Sequence, residues 1–116
     1  MLYLFNTTIV PLHPAIGGAT VKIRKVQIQE ARSIIVKAMN NSSFTSAVGH
    51  QATAEVLSRI LAVQIPMNRI SVQLQYGDEV IATSLGVRLQ EGKVLSAEEL
   101  AAIADKITFY HYTVQP

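Results

Sequence analysis

Cysteine and tryptophan are both absent from the 116 residues. Without cysteine there is neither a disulfide framework nor a thiolate metal site. Charge is scarce too: 16% of residues are Asp, Glu, Lys or Arg, against about a quarter in ordinary soluble domains. A net charge of +2 supplies little general attraction for an anionic partner. No apolar run approaches the ~20 residues of a membrane-spanning helix. The apolar opening Met1 to Phe5 has no basic leader and runs directly into Asn6, so no targeting segment is expected there. The chain is expected to be soluble and intracellular.

What is abundant is aliphatic side chain, spread along the whole length, with 49% of residues hydrophobic. That distribution excludes general disorder and points to one domain, residues 1–116, with a dense core or a buried dimer face. No internal repeat or low-complexity segment interrupts it.

The pattern centres on the stretch Ser46 to Leu61, SAVGHQATAEVLSRIL, with a helix that starts at Gly49-His50. At 100° per residue Thr53, Leu57, Ile60 and Leu61 share one face, and Gln51, Glu55, Ser58 and Arg59 the other. His50 falls on the apolar meridian two turns before Leu57. It is either a satisfied buried histidine or the floor of a small pocket.

Around this stretch the remaining elements follow in order. Residues 2 to 6, LYLFN, read as a central strand covered on both faces. A long loop with Pro11, Pro14, Gly17 and Gly18 comes next. Thr20 to Ile28 alternates at Val21 and Ile23, then shifts phase to Val26 and Ile28, which predicts a strand with a bulge near Arg24 and Lys25. Ala31, Ile34, Ile35 and Ala38 mark a helix ending in the turn at Asn40 to Ser43, and Pro66 bounds the helix that contains His50. Arg69 to Gln75, the turn Tyr76-Gly77-Asp78 and Val80 to Val87 predict a hairpin. Ser96 and Glu99 form a capping box opening a helix to about Ala104. Ile107 to Val114 closes as a strand. Five strands and three helices predict an α/β (α+β) domain with a mixed five-stranded sheet.

Polar residues stand where folding gives little reason for them at Asn6-Thr7-Thr8, at Gly49-His50, and at Arg88 with Glu91 and Lys93. Strand ends and helix starts are where a rigid scaffold presents functional groups. Singly, each has a plainer explanation: Arg88 and Glu91 as a surface ion pair, Asn6 and the threonines as turn formers. The carboxylates form no D-x-D pair, H-E-x-x-H or calcium-type loop, so no metal site and no metal cofactor are expected. There is no G-x-G-x-x-G, P-loop or G-x-S-x-G elbow either, which leaves nucleotide-cofactor, phosphoryl-transfer and acyl-transfer chemistry unsupported. His13, between two prolines, and His111, inside the last strand, are read as incidental.

GHQATAEVLSRIL, then Asn68-Arg69, then VRLQEGKVLSAEEL resemble the viral ring nucleases, anti-CRISPR proteins that destroy cyclic tetra-adenylate, the second messenger of type III CRISPR defence. The likeness covers most of the chain. It implies a homodimer with two symmetric pockets, acting in the host cytoplasm during infection. By this resemblance the catalytic histidine falls on His50, the phosphate-holding arginine on Arg88 and the assisting glutamate on Glu91. Arg69, Asn6, Thr7, Thr8 and Gly49 match substrate-binding positions. One departure is Ile9, which stands where relatives often show a small hydroxyl residue, with Thr8 one position earlier.

The implied reaction needs no metal. An internal 2′-hydroxyl in line with the phosphorus and the 5′-oxygen can displace that oxygen, with positioning supplying much of the acceleration. His50 as imidazolium would protonate the leaving oxygen, and Arg88 would hold phosphate oxygens. Glu91 would orient either the 2′-hydroxyl or the arginine. A ring of four identical nucleotides contains a two-fold axis, which a two-fold dimer can match. The rival expectation is a non-catalytic dimer binding duplex DNA through Lys22, Arg24, Lys25, Arg69 and Arg88. A third is a virion or scaffold protein, favoured only by the aliphatic content.

Overall fold

In β1 (Leu2–Phe5) successive side chains alternate between two apolar environments, Leu2 and Leu4 on one face and Tyr3 and Phe5 on the other. The computed structural model describes residues 1–90 and 92–116. Its other strands are β2 (Thr20–Val26), β3 (Phe44–Ala47), β4 (Glu79–Ser84) and β5 (Thr108–Gln115), in the sheet order β2-β5-β4-β1-β3. β1 pairs in parallel with both β3 and β4, while β5 is antiparallel to β4 and β2. The mixed five-stranded sheet with three helices expected from the sequence is therefore present.

The helices α1 (Ile28–Asn40) and α2 (Gln51–Leu61) cover one face, and α3 (Ala97–Ala104) packs against α2. Ala31, Ile35 and Ala38 of α1 and Ala54, Leu57 and Leu61 of α2 meet Leu4, Ile81 and Phe109 in the main core. The helical spacing seen in the sequence explains why: residues at i, i+3, i+4 and i+7 share one stripe. The Ser96–Glu99 capping box is present, each partner bonding the other's backbone amide at 3.1 Å.

The opposite face is covered without helices. Phe5, Val80, Ala82, Tyr112 and Val114 lie beneath Leu74 and Val72. Leu74 is tied to the loop after β1, its amide donating to the Pro11 carbonyl (2.7 Å) and its carbonyl accepting from His13 (2.9 Å).

Three local expectations are corrected. Residues 69–75 do not form a hairpin with β4. Both edges of β4 are already taken by β1 and β5, so the alternating Val72 and Leu74 cover the sheet from outside it, Leu74 forming an isolated bridge to Leu12. Second, β2 carries no bulge, because its register against β5 is unbroken from Thr20↔Gln115 to Val26↔Phe109. The phase shift arises because Val21 faces one layer and Val26 the other, while Ile23 is exposed. Third, whereas α2 starts at the Gly49–His50 junction as expected, Phe44–Ala47 form β3 at the sheet edge, where no strand is expected from the sequence. Its four residues, with Thr45 and Ser46 among them, carry no apolar alternation to distinguish them from a turn.

Candidate functional site

β1 and β3 run parallel, and their last paired residues are Phe5 and Ala47. The chain therefore leaves the sheet at Asn6 and at Val48 side by side, at the carboxyl ends of neighbouring strands where α/β sheets commonly hold ligands. A cavity of about 430 Å³ opens there. Asn6 and Thr7 come to it from β1, Gly49 and His50 from the β3–α2 junction, and Arg69 from the extended segment after α2. Ile9 and Val72 add apolar wall.

His50 is the N-cap of α2, with extended dihedrals (φ −130°, ψ 131°), and its side chain makes no capping hydrogen bond. Its carbonyl accepts from Ala54 (3.0 Å), so the backbone starts the helix while the imidazole, exposed, stands at the cavity. Of the two sequence readings, the buried histidine is excluded. Gly49 is not required by the fold: it has no positive φ, and a Cβ there would meet only ordinary contacts, 3.6 Å from Arg69 Cγ. Gly49 itself lines the cavity beside His50.

Arg69 donates through Nε (3.1 Å) and Nη2 (3.0 Å) to the single carbonyl of Gly49. Behind it, Asn68 donates its backbone amide to Val48 (2.8 Å) and its side-chain Nδ2 to the Ser46 carbonyl (2.7 Å). The Ser46 hydroxyl donates to the Pro66 carbonyl (2.8 Å). Sequence reasoning assigned no site role to Ser46 or Asn68. The only signal was Asn68 beside Arg69, and its partners are 20 or more residues away.

Not every residue singled out in the sequence meets here. Thr8 points elsewhere: its carbonyl accepts from the Tyr112 hydroxyl (2.9 Å), and it lines a separate depression with Ile23 and Tyr110. Ile9, not Thr8, borders the cavity. Arg88 is exposed on the stretch after β4 and is not among the described residues around this cavity. Glu91 lies outside the described residues. Lys22, Arg24 and Lys25 are exposed on β2, the sheet edge opposite β3. By strand alternation Lys25 faces away from Lys22 and Arg24, and Arg24 is already paired with Glu30 at 2.5 Å.

A larger cavity of about 580 Å³ lies between the outer side of α2 and residues 89, 90 and 93–95, lined by Val56, Arg59, Met67 and Leu95. Among the described residues it contains none of the site residues expected from the sequence, so size alone does not choose the site. Arg59 Nη1 crosses to the Leu95 carbonyl at 2.9 Å, and Lys93 pairs with Glu99 at 2.8 Å. The Lys93 ammonium, followed by the Ser96 amide, lowers the Glu99 carboxyl from 4.5 to about 2.

Comparison with known proteins places the chain among proteins of archaeal viruses. It is 46% identical over 104 residues to ORF117 of Acidianus two-tailed virus, covering 89% of this chain and 86% of that protein. It is 40% identical over 111 residues to protein 26 of Sulfolobus islandicus filamentous virus, covering 95% and 90%. The solved structure of B116 of Sulfolobus turreted icosahedral virus superposes with a TM-score of 0.82 at 25% identity, over 97% of both chains. A family profile described as STIV B116-like matches residues 2–110, and the chain belongs to that family.

Proposed function

We propose that this chain is a ring nuclease that opens cyclic tetra-adenylate without a metal, and so blocks type III CRISPR signalling. The observation that carries this reading is the convergence of Asn6, Thr7, Gly49, His50 and Arg69 on one cavity. These residues were singled out from three separate stretches of sequence. The glycine that the fold does not need, beside a histidine whose side chain does no capping, supports the same reading.

In the proposed reaction the 2′-hydroxyl oxygen bonds to phosphorus as the bond from phosphorus to the 5′-oxygen breaks. His50 gives its proton to the departing 5′-oxygen, and the 2′-hydroxyl proton leaves to solvent, so protons balance. The resemblance assigns the phosphate oxygens, held by paired hydrogen bonds, to Arg88, which does not line the cavity of the single chain, and an assisting role to Glu91. A two-fold dimer presents one His50 to each of two opposite phosphodiesters, and two linear di-adenylates with 2′,3′-cyclic phosphate ends result.

The test is incubation with cyclic tetra-adenylate in excess EDTA, following products by chromatography and mass. Wild type is expected to cleave, and His50→Ala to lose turnover by about a hundredfold or more while binding is kept, as for a positioned acid. Arg88→Ala is expected to weaken binding. Absence of cleavage by wild type overturns the nuclease reading. A salt-sensitive affinity for duplex DNA would then favour the binding module, with exposed Lys22 and Lys25 as its first candidates.

A further inference from the structure

Asn68, one of the two residues that hold the turn before His50, stands outside the cavity that His50 faces. β3 is an edge strand, so on its side away from β1 no neighbouring strand takes up its backbone groups. Residues 66–69 take that place. Asn68 receives the Ser46 carbonyl on its side chain and the Val48 carbonyl on its amide, and Arg69 receives the Gly49 carbonyl on two nitrogens. Three carbonyls within the four residues before His50 are thereby fixed by two consecutive residues. Val48, completely buried, anchors the same turn from the core side. Arg69 also reaches the cavity, whereas Asn68 does not line it.

We propose that Asn68 is a positioning residue for His50: its carboxamide substitutes for the missing strand partner of β3 and so sets the direction in which the imidazole enters the cavity. This rests on the nuclease reading for its kinetic consequence, but the structural consequence exists in the ligand-free protein. A displacement of about 1 Å in a reacting group can cost on the order of a hundredfold in rate. Asn68 makes its contribution without touching substrate, so the loss belongs in kcat rather than in affinity. Asn68→Asp retains the size but loses the donor, and sets a carboxylate against the Ser46 carbonyl.

The experiment compares wild type, Asn68→Ala, Asn68→Asp, His50→Ala and the double variant Asn68→Ala/His50→Ala, with cyclic tetra-adenylate as probe. Turnover of both Asn68 variants is expected to fall tenfold to a hundredfold, with ring affinity within about twofold of wild type. In the double variant the residual rate should equal that of His50→Ala, because Asn68 acts through His50. A general structural defect would instead lower that residual rate further. In the ligand-free protein the amide resonances of Gly49 and His50 should shift in Asn68→Ala while those of α3 stay in place. If Asn68→Ala fails to fold, Asn68→Asp, which keeps the side-chain size and the backbone amide bond to Val48 but lacks the donor to the Ser46 carbonyl, carries the same expectations. Wild-type turnover in folded variants, additive losses in the double variant, or a rise in dissociation constant matching the loss of rate would each overturn the positioning role. Failure of wild type to cleave would sink the nuclease reading itself, and unmoved Gly49 and His50 resonances would then sink the structural part separately.

Discussion

His50 shows how one position can serve the fold with its backbone and leave its side chain for other work. The extended dihedrals and the carbonyl bond to Ala54 start α2, and a residue such as Ser or Asp could do that with a side-chain cap besides. Gly86 is the reverse case, a residue whose lack of a side chain the fold does use. A Cβ there would come to 2.9 Å from both the Lys106 carbonyl oxygen and its Cβ. The chain leaving β4 toward Arg88 is thus seated directly against the turn before β5. Gly86→Ala is expected to destabilise the protein by about 1–3 kcal/mol, the cost of overpacking against backbone, read as a lowered midpoint in urea unfolding. An unchanged midpoint would mean that the two segments separate at little cost.

Among the elements, α3 is the one whose start is written in adjacent residues. Ser96 and Glu99 satisfy each other's amides, and Lys93 adds its charge to the same carboxylate. Because the folded-state Glu99 carboxyl is lowered from 4.5 to about 2, its contribution is present above the unfolded value and is lost as pH falls through the folded one. The melting temperature of wild type should therefore exceed that of Glu99→Gln at pH 6, and the gap should close between about pH 4.5 and 2. A gap that persists unchanged at pH 2 would show that the charged form of Glu99 adds nothing. β3 and residues 69–75 behave otherwise. The former has little alternation yet joins the sheet, and the latter alternates cleanly yet stays out of it. Alternation reports which side chains face an apolar surface; it does not report which backbone edge is vacant.

At the scale of the whole molecule, the sheet order puts β1 between two parallel neighbours and sets the cavity at its carboxyl end. Exposed Ile9 and Ile70, 60% and 44% accessible, rim that cavity. The proposed two-fold pairing would cover apolar surface of this kind. Sedimentation is expected to give twice the mass of the chain, and Ile70→Glu, by setting two like charges against the partner, to shift the population toward single chains and lower turnover together. A monomeric wild type that still cleaves the ring would remove the need for the dimer.

Local order was legible in the chain by itself. The stripes of α1 and α2, the capping box of α3, the strand character of β1, β2 and β5 and the turn at Gly77 all follow from spacing and turn chemistry over a few residues. Asn6, Thr7, Gly49 and His50 stood out as polar or small residues at element ends, while a site role for Arg69 came only from the resemblance. What only the tertiary structure decided was partnership. β4 has two edges, and β1 and β5 occupy them, so residues 69–75 were displaced to the outside and Phe44–Ala47 took the free edge of β1. That competition among distant segments brought Arg69 over the Gly49 carbonyl and Asn68 over Ser46. Periodicity is a property of neighbours along the chain, whereas an available edge is a property of the assembled sheet.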